Sequence, residues 1–214
     1  MIPVLVFVAG LLSSLWATAW NADRFLEAAQ RMGGAAPQGA RLLSELIASA
    51  ATADEESRLM MINQFFNRRL IFRDDMVVWG QLDYWASPLE SLAKGMGDCE
   101  DYAIAKYFSL IAAGVPPVKL RLIYVRATIG GAGGPQQAHM VLAYYGQPTA
   151  EPLVLDNLIT DIRPASRRID LTPVFSFNAD GLWQGAANTP SGDPSARLSK
   201  WRETLAKARQ EGFE

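Results

Sequence analysis

Apolar positions recur along this chain with different spacings in turn, and each spacing predicts an element. Residues Ile2 to Trp16 form an uncharged apolar run, followed by the small residues Ala17-Thr18-Ala19. The run is shorter than the ~20 residues a membrane-spanning helix needs, and it has the shape of an export signal, giving a start near Trp20. No Lys or Arg precedes it, and the first positive charge is Arg24. The reading is therefore a cleaved signal or an uncleaved anchor over residues 1–19. The spacing then becomes helical. Asn21 is placed to cap a helix reaching about Met32, before Gly33-Gly34 and Pro37. Arg41 to Ala50 places Leu42, Leu43, Leu46 and Ile47 on one face, and a third helix starts at Asp54 and ends at Arg68-Arg69. Acid first and base last in that helix complement its dipole.

Ser87-Pro88-Leu89-Glu90 is a capping box with Pro at the first helical position, and it predicts a short helix stopped by Gly95. Cys99 to Ala113 follows, apolar on all but a narrow stripe, and is stopped by Gly114, Pro116 and Pro117. A helix so apolar belongs at the centre of a domain. From Val118 the period changes to two. Strands are predicted over Val118 to Thr128, Gln137 to Tyr145 and Pro152 to Asn157. The last two join as a hairpin through Gly146-Gln147-Pro148-Thr149. Gly130 to Gly134 lacks the pattern of a phosphate loop and reads as a flexible connection. Phe175-Ser176-Phe177 is a further short strand, Asn178 to Pro194 reads as loop, and a polar helix runs from about Ser195 to Gln210. The pattern is α+β, one domain over 20–214: helical over 20–70, a core over 71–180, and a C-terminal loop and helix over 181–214.

Composition narrows the function classes. Of 214 residues half are hydrophobic, enough for a sizeable core, and the net charge is −2. With a sequence pI of about 5.5 and scattered basic residues there is no footprint for nucleic acid. Cys99 is the single cysteine and His139 the single histidine. Thiol chemistry assisted by histidine must use this pair. Cys99 sits at the predicted start of the central helix, where free N–H groups and the dipole favour a thiolate and where its own N–H can meet an oxyanion. The Tyr84-Trp85 segment is the candidate source of a second oxyanion donor. If Tyr145 faces Ala150 across the hairpin, His139 faces Asp156, whose carboxylate can hold the imidazole in one tautomer. Asn157 and Asp161 are the next candidates for that role. Asp98, Glu100 and Asp101 beside the thiol oppose its ionisation. They read either as helix caps or as ligands of a divalent cation such as Ca²⁺, which prefers oxygen donors.

Three segments, Gly97-Asp98-Cys99-Glu100-Asp101-Tyr102-Ala103, Ala138-His139-Met140-Val141-Leu142 and Val154-Leu155-Asp156-Asn157, resemble the bacterial transglutaminase-like cysteine proteinases. Trp85-Ala86-Ser87-Pro88 and Pro173-Val174-Phe175-Ser176-Phe177-Asn178 fit the same family. The resemblance implies a papain/transglutaminase-like core, with the nucleophile at the N-terminus of a central helix packed on an antiparallel sheet. It implies a Cys99, His139, Asp156 triad and Ca²⁺ dependence, with Asp98 and Glu100 as metal ligands. It also implies a periplasmic endopeptidase that cuts a large surface adhesin near its N-terminus at a di-alanine site, so controlling biofilm attachment. An inner-membrane cyclic di-GMP receptor is the implied inhibitor. The competing readings are a transglutaminase-like acyltransferase or amidase, and a non-catalytic calcium-binding regulatory module.

Overall fold

The computed structural model describes residues 20–213, so the N-terminal apolar run and the small-residue site after it lie outside the described residues. Three helices come first among the described residues: α1 (Ala22–Met32), α2 (Ala36–Ala51) and α3 (Glu55–Arg69). Asn21 caps α1 through the Arg24 amide and Asp54 caps α3 through the Ser57 amide. Helix α2 starts earlier than its apolar spacing suggests, because Pro37 lies in its first turn, where a missing N–H costs no hydrogen bond.

Strand β1 (Ile71–Phe72), the one-turn helix α4 (Asp75–Val78), α5 (Pro88–Lys94) and β2 (Met96–Gly97) follow, with β1 and β2 paired in parallel. The Ser87–Glu90 capping box forms, and Gly95 ends α5 with φ +61°. Helix α6 (Cys99–Ala112) is the central element. Tyr102, Ala103, Ile104, Tyr107 and Leu110 are buried, and the helix packs on α3, α5 and the main sheet.

That sheet comprises β3 (Leu120–Thr128), β4 (Gln136–Tyr144), β5 (Leu153–Leu155), β6 (Arg163–Pro164), β7 (Leu171–Phe177) and β8 (Leu182–Gln184). The order is β6-β5-β4-β3-β7-β8, and every pair is antiparallel. Strand β3 begins at Leu120, after a 3₁₀ turn over Pro117–Lys119. Leu120, Leu122, Met140, Leu142, Leu155 and Phe177 join the core shared with the helices. Ile123, Val125, Val141, Ala143 and Val154 build a smaller cluster on the opposite face. Strand β7 is longer than its Phe-Ser-Phe signal. It carries Pro173 at a register irregularity against β3, where a residue without an N–H is tolerated. Strand β8 lies inside the stretch expected to be loop; its Leu182 and Trp183 are buried.

The polar C-terminal segment forms α7 (Pro194–Arg197) and α8 (Ser199–Gln210). Trp201 of α8 is fully buried among Tyr107, Phe108 and Phe177. Lys207 of α8 donates to the Trp85 carbonyl at 2.7 Å and to Glu90 at 2.8 Å, and Glu211 accepts from Ser87, so the C-terminal helix braces the segment ahead of α5.

Candidate active site

Cys99 is the first residue of α6, and its environment is set by Asp101 two residues further on. Buried Asp101 accepts the Ala86 amide at 2.8 Å through Oδ1 and the Asp98 amide at 3.3 Å through Oδ2. It thereby ties the entry of α6 to the strap ahead of α5. A Cβ on Gly97 would lie 2.5 Å from Asp101 Oδ2 and 2.7 Å from its Cβ, so only glycine fits there. Cys99 and His139 line one cavity of about 490 Å³ with Trp85, Asp98, Glu100, Tyr124 and Leu158. Trp85 stacks on Phe177 and Tyr124 on Phe175, which roots these cavity walls in the core. Among the groups near the sulfur, the Met140 backbone amide favours the thiolate, against the effect of burial and the carboxylates.

His139 projects from β4, buried at 2 % exposure. Its Nε2 lies 2.7 Å from Asp156 Oδ1. The register behind this meeting differs from the hairpin expectation. Leu142 pairs with Leu155 and Tyr144 with Leu153, which displaces the ladder by two residues. A displacement of two keeps every side chain on its face, whereas a slip of one would not. Asp156 stands just beyond the end of β5, and the imidazole reaches it diagonally. Asp156 Oδ1 also accepts the Asn157 amide at 2.7 Å and the Leu158 amide at 3.2 Å, while Oδ2 accepts Arg168 Nη2 at 2.7 Å. Burial pushes this carboxyl up, but the hydrogen bonds and charges of His139 and Arg168 prevail and hold it at about 2. Its backbone carbonyl accepts Asn67 Nδ2 at 2.8 Å and the buried Lys106 Nζ at 3.1 Å. Burial drives the Lys106 ammonium down to about 7 despite the neighbouring Asp156. Of the other candidates for a histidine partner, Asn157 gives its backbone N–H to Asp156, and Asp161 pairs with Arg163 on the surface.

Trp85 of the Tyr84-Trp85 segment lines the cavity with Cys99. The Tyr84 amide donates to Asp75 Oδ2, and the Trp85 indole N–H is directed to Asp83 Oδ1 at 3.0 Å.

The acidic residues beside Cys99 form one part of a larger group. Asp75, Asp83, Asp98, Glu100 and Asp101 bring carboxylate oxygens together in overlapping sets, each within 4.8 Å. Asp75 Oδ1 and Asp98 Oδ1 are buried and have no donor among the described residues. Burial, and then repulsion from Glu100, pushes Asp98 up to about 10, and burial pushes Asp75 up to about 6. The Cys99 thiol donates to Glu100 Oε2 at 3.0 Å and is pushed well above its ordinary range by burial and by Glu100 and Asp98. Orphaned, mutually repelling carboxylate oxygens are the donor set a hard divalent cation takes. Asp75 belongs to two such sets, one with Asp83 and Glu100 and one with Asp98 and Asp101, and Asp98, Cys99 and Glu100 form a third; the Asp101 oxygens already accept two backbone amides. Asp75 and Asp83 were not singled out from sequence, since they lie in a stretch without periodic signal. Lys106 and Arg168 were also missed: an interior lysine in an apolar helix and an arginine in a turn give no pattern.

The sequence model for bacterial transglutaminase-like cysteine proteinases matches residues 40–169. The fold is similar to that of Legionella pneumophila LapG, which is 38 % identical, with a TM-score of 0.75 over 88 % of this chain and 97 % of that one. An EGTA-treated form of LapG gives 0.77 over the same shares, and a calcium-bound form gives 0.74 over 87 % and 98 %. A comparison with curated protein sequences finds no match. With the family pattern running from α2 through the nucleophile segment to β6, the chain belongs to the bacterial transglutaminase-like cysteine proteinases.

Proposed function

We propose that this protein is a periplasmic, calcium-dependent cysteine endopeptidase that cleaves the N-terminal region of a large surface adhesin at a di-alanine site and so controls biofilm attachment. The observation that carries the reading is the His139–Asp156 hydrogen bond at 2.7 Å in the wall of the cavity that holds Cys99. With Nε2 donating to Asp156, the ring keeps Nδ1 as its base. Nδ1 takes the thiol proton, and Sγ adds to the peptide carbonyl carbon. The oxyanion that forms is met by the Cys99 amide at the helix start. Nδ1 then returns its proton to the leaving amine nitrogen as the C–N bond breaks, which leaves a thioester. A water molecule, deprotonated by the same nitrogen, hydrolyses the thioester and restores the thiol.

Asp75, Asp83, Asp98 and Glu100 would hold the calcium ion, whose positive charge offsets the carboxylates that oppose thiolate formation. The calcium-bound and EGTA-treated forms of the similar LapG support this part of the reading. The adhesin, export to the periplasm and inhibition by an inner-membrane cyclic di-GMP receptor rest on family membership. The test is incubation of the purified chain with an N-terminal adhesin fragment, in Ca²⁺ and in EGTA, with the cut mapped by N-terminal sequencing. A single calcium-dependent cut between small residues supports the proposal; a cut after an aromatic or basic residue overturns its specificity.

A further inference from the structure

Asp156 is held at three points by independent parts of the fold. Its carbonyl oxygen is fixed by Asn67 of α3 and Lys106 of α6. Its Oδ1 receives two backbone amides and the imidazole. Its Oδ2 has one protein donor, Arg168 Nη2. Arg168 is itself clamped: Nε lies 3.0 Å from Asp170 Oδ1 and Nη2 lies 2.7 Å from Asp170 Oδ2. The Asp170 carbonyl in turn accepts the amide of Thr128, the last residue of β3. A line of contacts therefore runs from the end of β3 through Asp170 and Arg168 to Asp156 and His139. The side chains of Arg168 and Asp156 are 1 % exposed or less. Arg168 Nη1 has no acceptor among the described residues, so this guanidinium is kept in the interior at the cost of an unfilled donor.

We propose that Arg168 is a positioning residue of the hydrolytic site, locking the Asp156 carboxylate in the plane in which Oδ1 accepts the hydrogen bond of His139 Nε2–H. The inference rests on the proteolytic reading for its purpose and on the geometry above for its substance. The charged groups around the carboxylate are Arg168, Asp170, Lys106 and the imidazole. Among the described residues only Arg168 reaches Oδ2, and the backbone of Asp156 is secured without it. Removal of the guanidinium leaves a buried oxygen without a donor, so the carboxylate turns in search of one and releases the imidazole.

The test exploits the fact that His139 is the only histidine. The untagged chain, ¹⁵N-labelled at histidine and carrying Cys99→Ala so that no thiolate engages Nδ1, gives one imidazole signal set. The neutral ring is expected as a single tautomer, protonated at Nε2, with that proton exchanging slowly with water. In Arg168→Met the tautomers should mix and the proton should exchange at least about tenfold faster. In Arg168→Lys, where a point charge replaces a fork, the change should be intermediate. If Arg168→Met does not fold, Arg168→Lys decides, an intermediate change supporting the proposal. A folded variant with the parent tautomer and exchange rate overturns it. Because the spectrum reads the ring and not turnover, a negative result leaves the proteolytic reading standing. A chain that cleaved no adhesin would still show the effect.

Discussion

His139 and Asp156 join through Nε2 and Oδ1 at 2.7 Å although the β4–β5 ladder does not set them opposite one another. The contact is diagonal, between a residue inside β4 and one just past the end of β5. Side chains two positions out of register on one face remain within reach when they are long enough to span the gap. The end of a strand is also where a carboxylate can collect local backbone amides, as Asp156 does from Asn157 and Leu158.

The first prediction concerns the nucleophile and its base. Cys99→Ala and His139→Ala should each lower cleavage of the adhesin fragment by at least about 10³-fold, and the double variant should be no worse than either. Asp156→Asn, which offers the ring an amide in place of a carboxylate, should also fall by orders of magnitude. Turnover close to the parent in Cys99→Ala would refute the mechanism.

A second prediction separates metal ligands from helix caps. Calcium at about a hundred times its dissociation constant should stabilise the protein by about 2.7 kcal/mol. Asp75→Asn, Asp98→Ala and Glu100→Ala should lose most of that gain. In EGTA, Asp75→Asn and Asp98→Asn should unfold at a higher temperature than the parent. The parent must either keep these carboxyls charged in a repelling group or protonate them against their ordinary range, and Asn does neither. Thermal unfolding with and without calcium reads both effects. A full calcium response in all three of the first variants would reduce these carboxylates to caps.

The third prediction follows from the Asp156 carboxyl, held at about 2 in the folded chain by His139 and Arg168 against the effect of burial. A carboxyl lowered in the folded state adds stability above its ordinary range. That stability is lost as pH falls from about 4 toward 2 and amounts to about 2 kcal/mol. Urea unfolding across that window should show this slope in the parent and lack that share of it in Asp156→Asn. An identical slope in both would disprove the assignment.

Gly97 supplies a fourth. Ala at this position drives a methyl group against Asp101 at 2.5 Å, and Asp101 cannot withdraw without releasing the Ala86 and Asp98 amides. Gly97→Ala should cost about 1–3 kcal/mol and weaken calcium binding through displaced Asp98. Calorimetry of calcium binding and denaturant unfolding measure the two consequences. Parent-like values in both would show that the segment is free to shift.

Local chemistry was the part of this structure legible in the sequence. The Ser87–Glu90 box, the Gly95 stop and the apolar face of α6 are written in neighbouring residues, and each appears as the pattern requires. The parity of the β4–β5 pair was legible too, because alternation decides it; the register was not, because the turn between the strands is longer than the hairpin signal implied. Strand β8 escaped because Gly, Asn and Pro surround three residues whose burial depends on β7 beside them. The carboxylates at Asp75 and Asp83 reach Cys99 only through the path of the chain around α4 and the strap braced by α8. Arg168 acquires its meaning only from Asp156 and Asp170.

The acidic group draws its oxygens from three separate stretches: Asp75 in α4, Asp83 in the strap, and Asp98 with Glu100 at the start of α6. A chain with one cysteine can form no internal disulfide, and its other stapling options are few. A cation seated among these carboxylates is a removable cross-link that closes two short loops, whose ends are otherwise driven apart by like charge. Binding it would cost the local chain its freedom in the same step that neutralises the repulsion, so the stretch from Asp75 to Glu100 should harden as a unit. Calcium concentration would then set the resistance of this face to unfolding as well as the charge around the thiol.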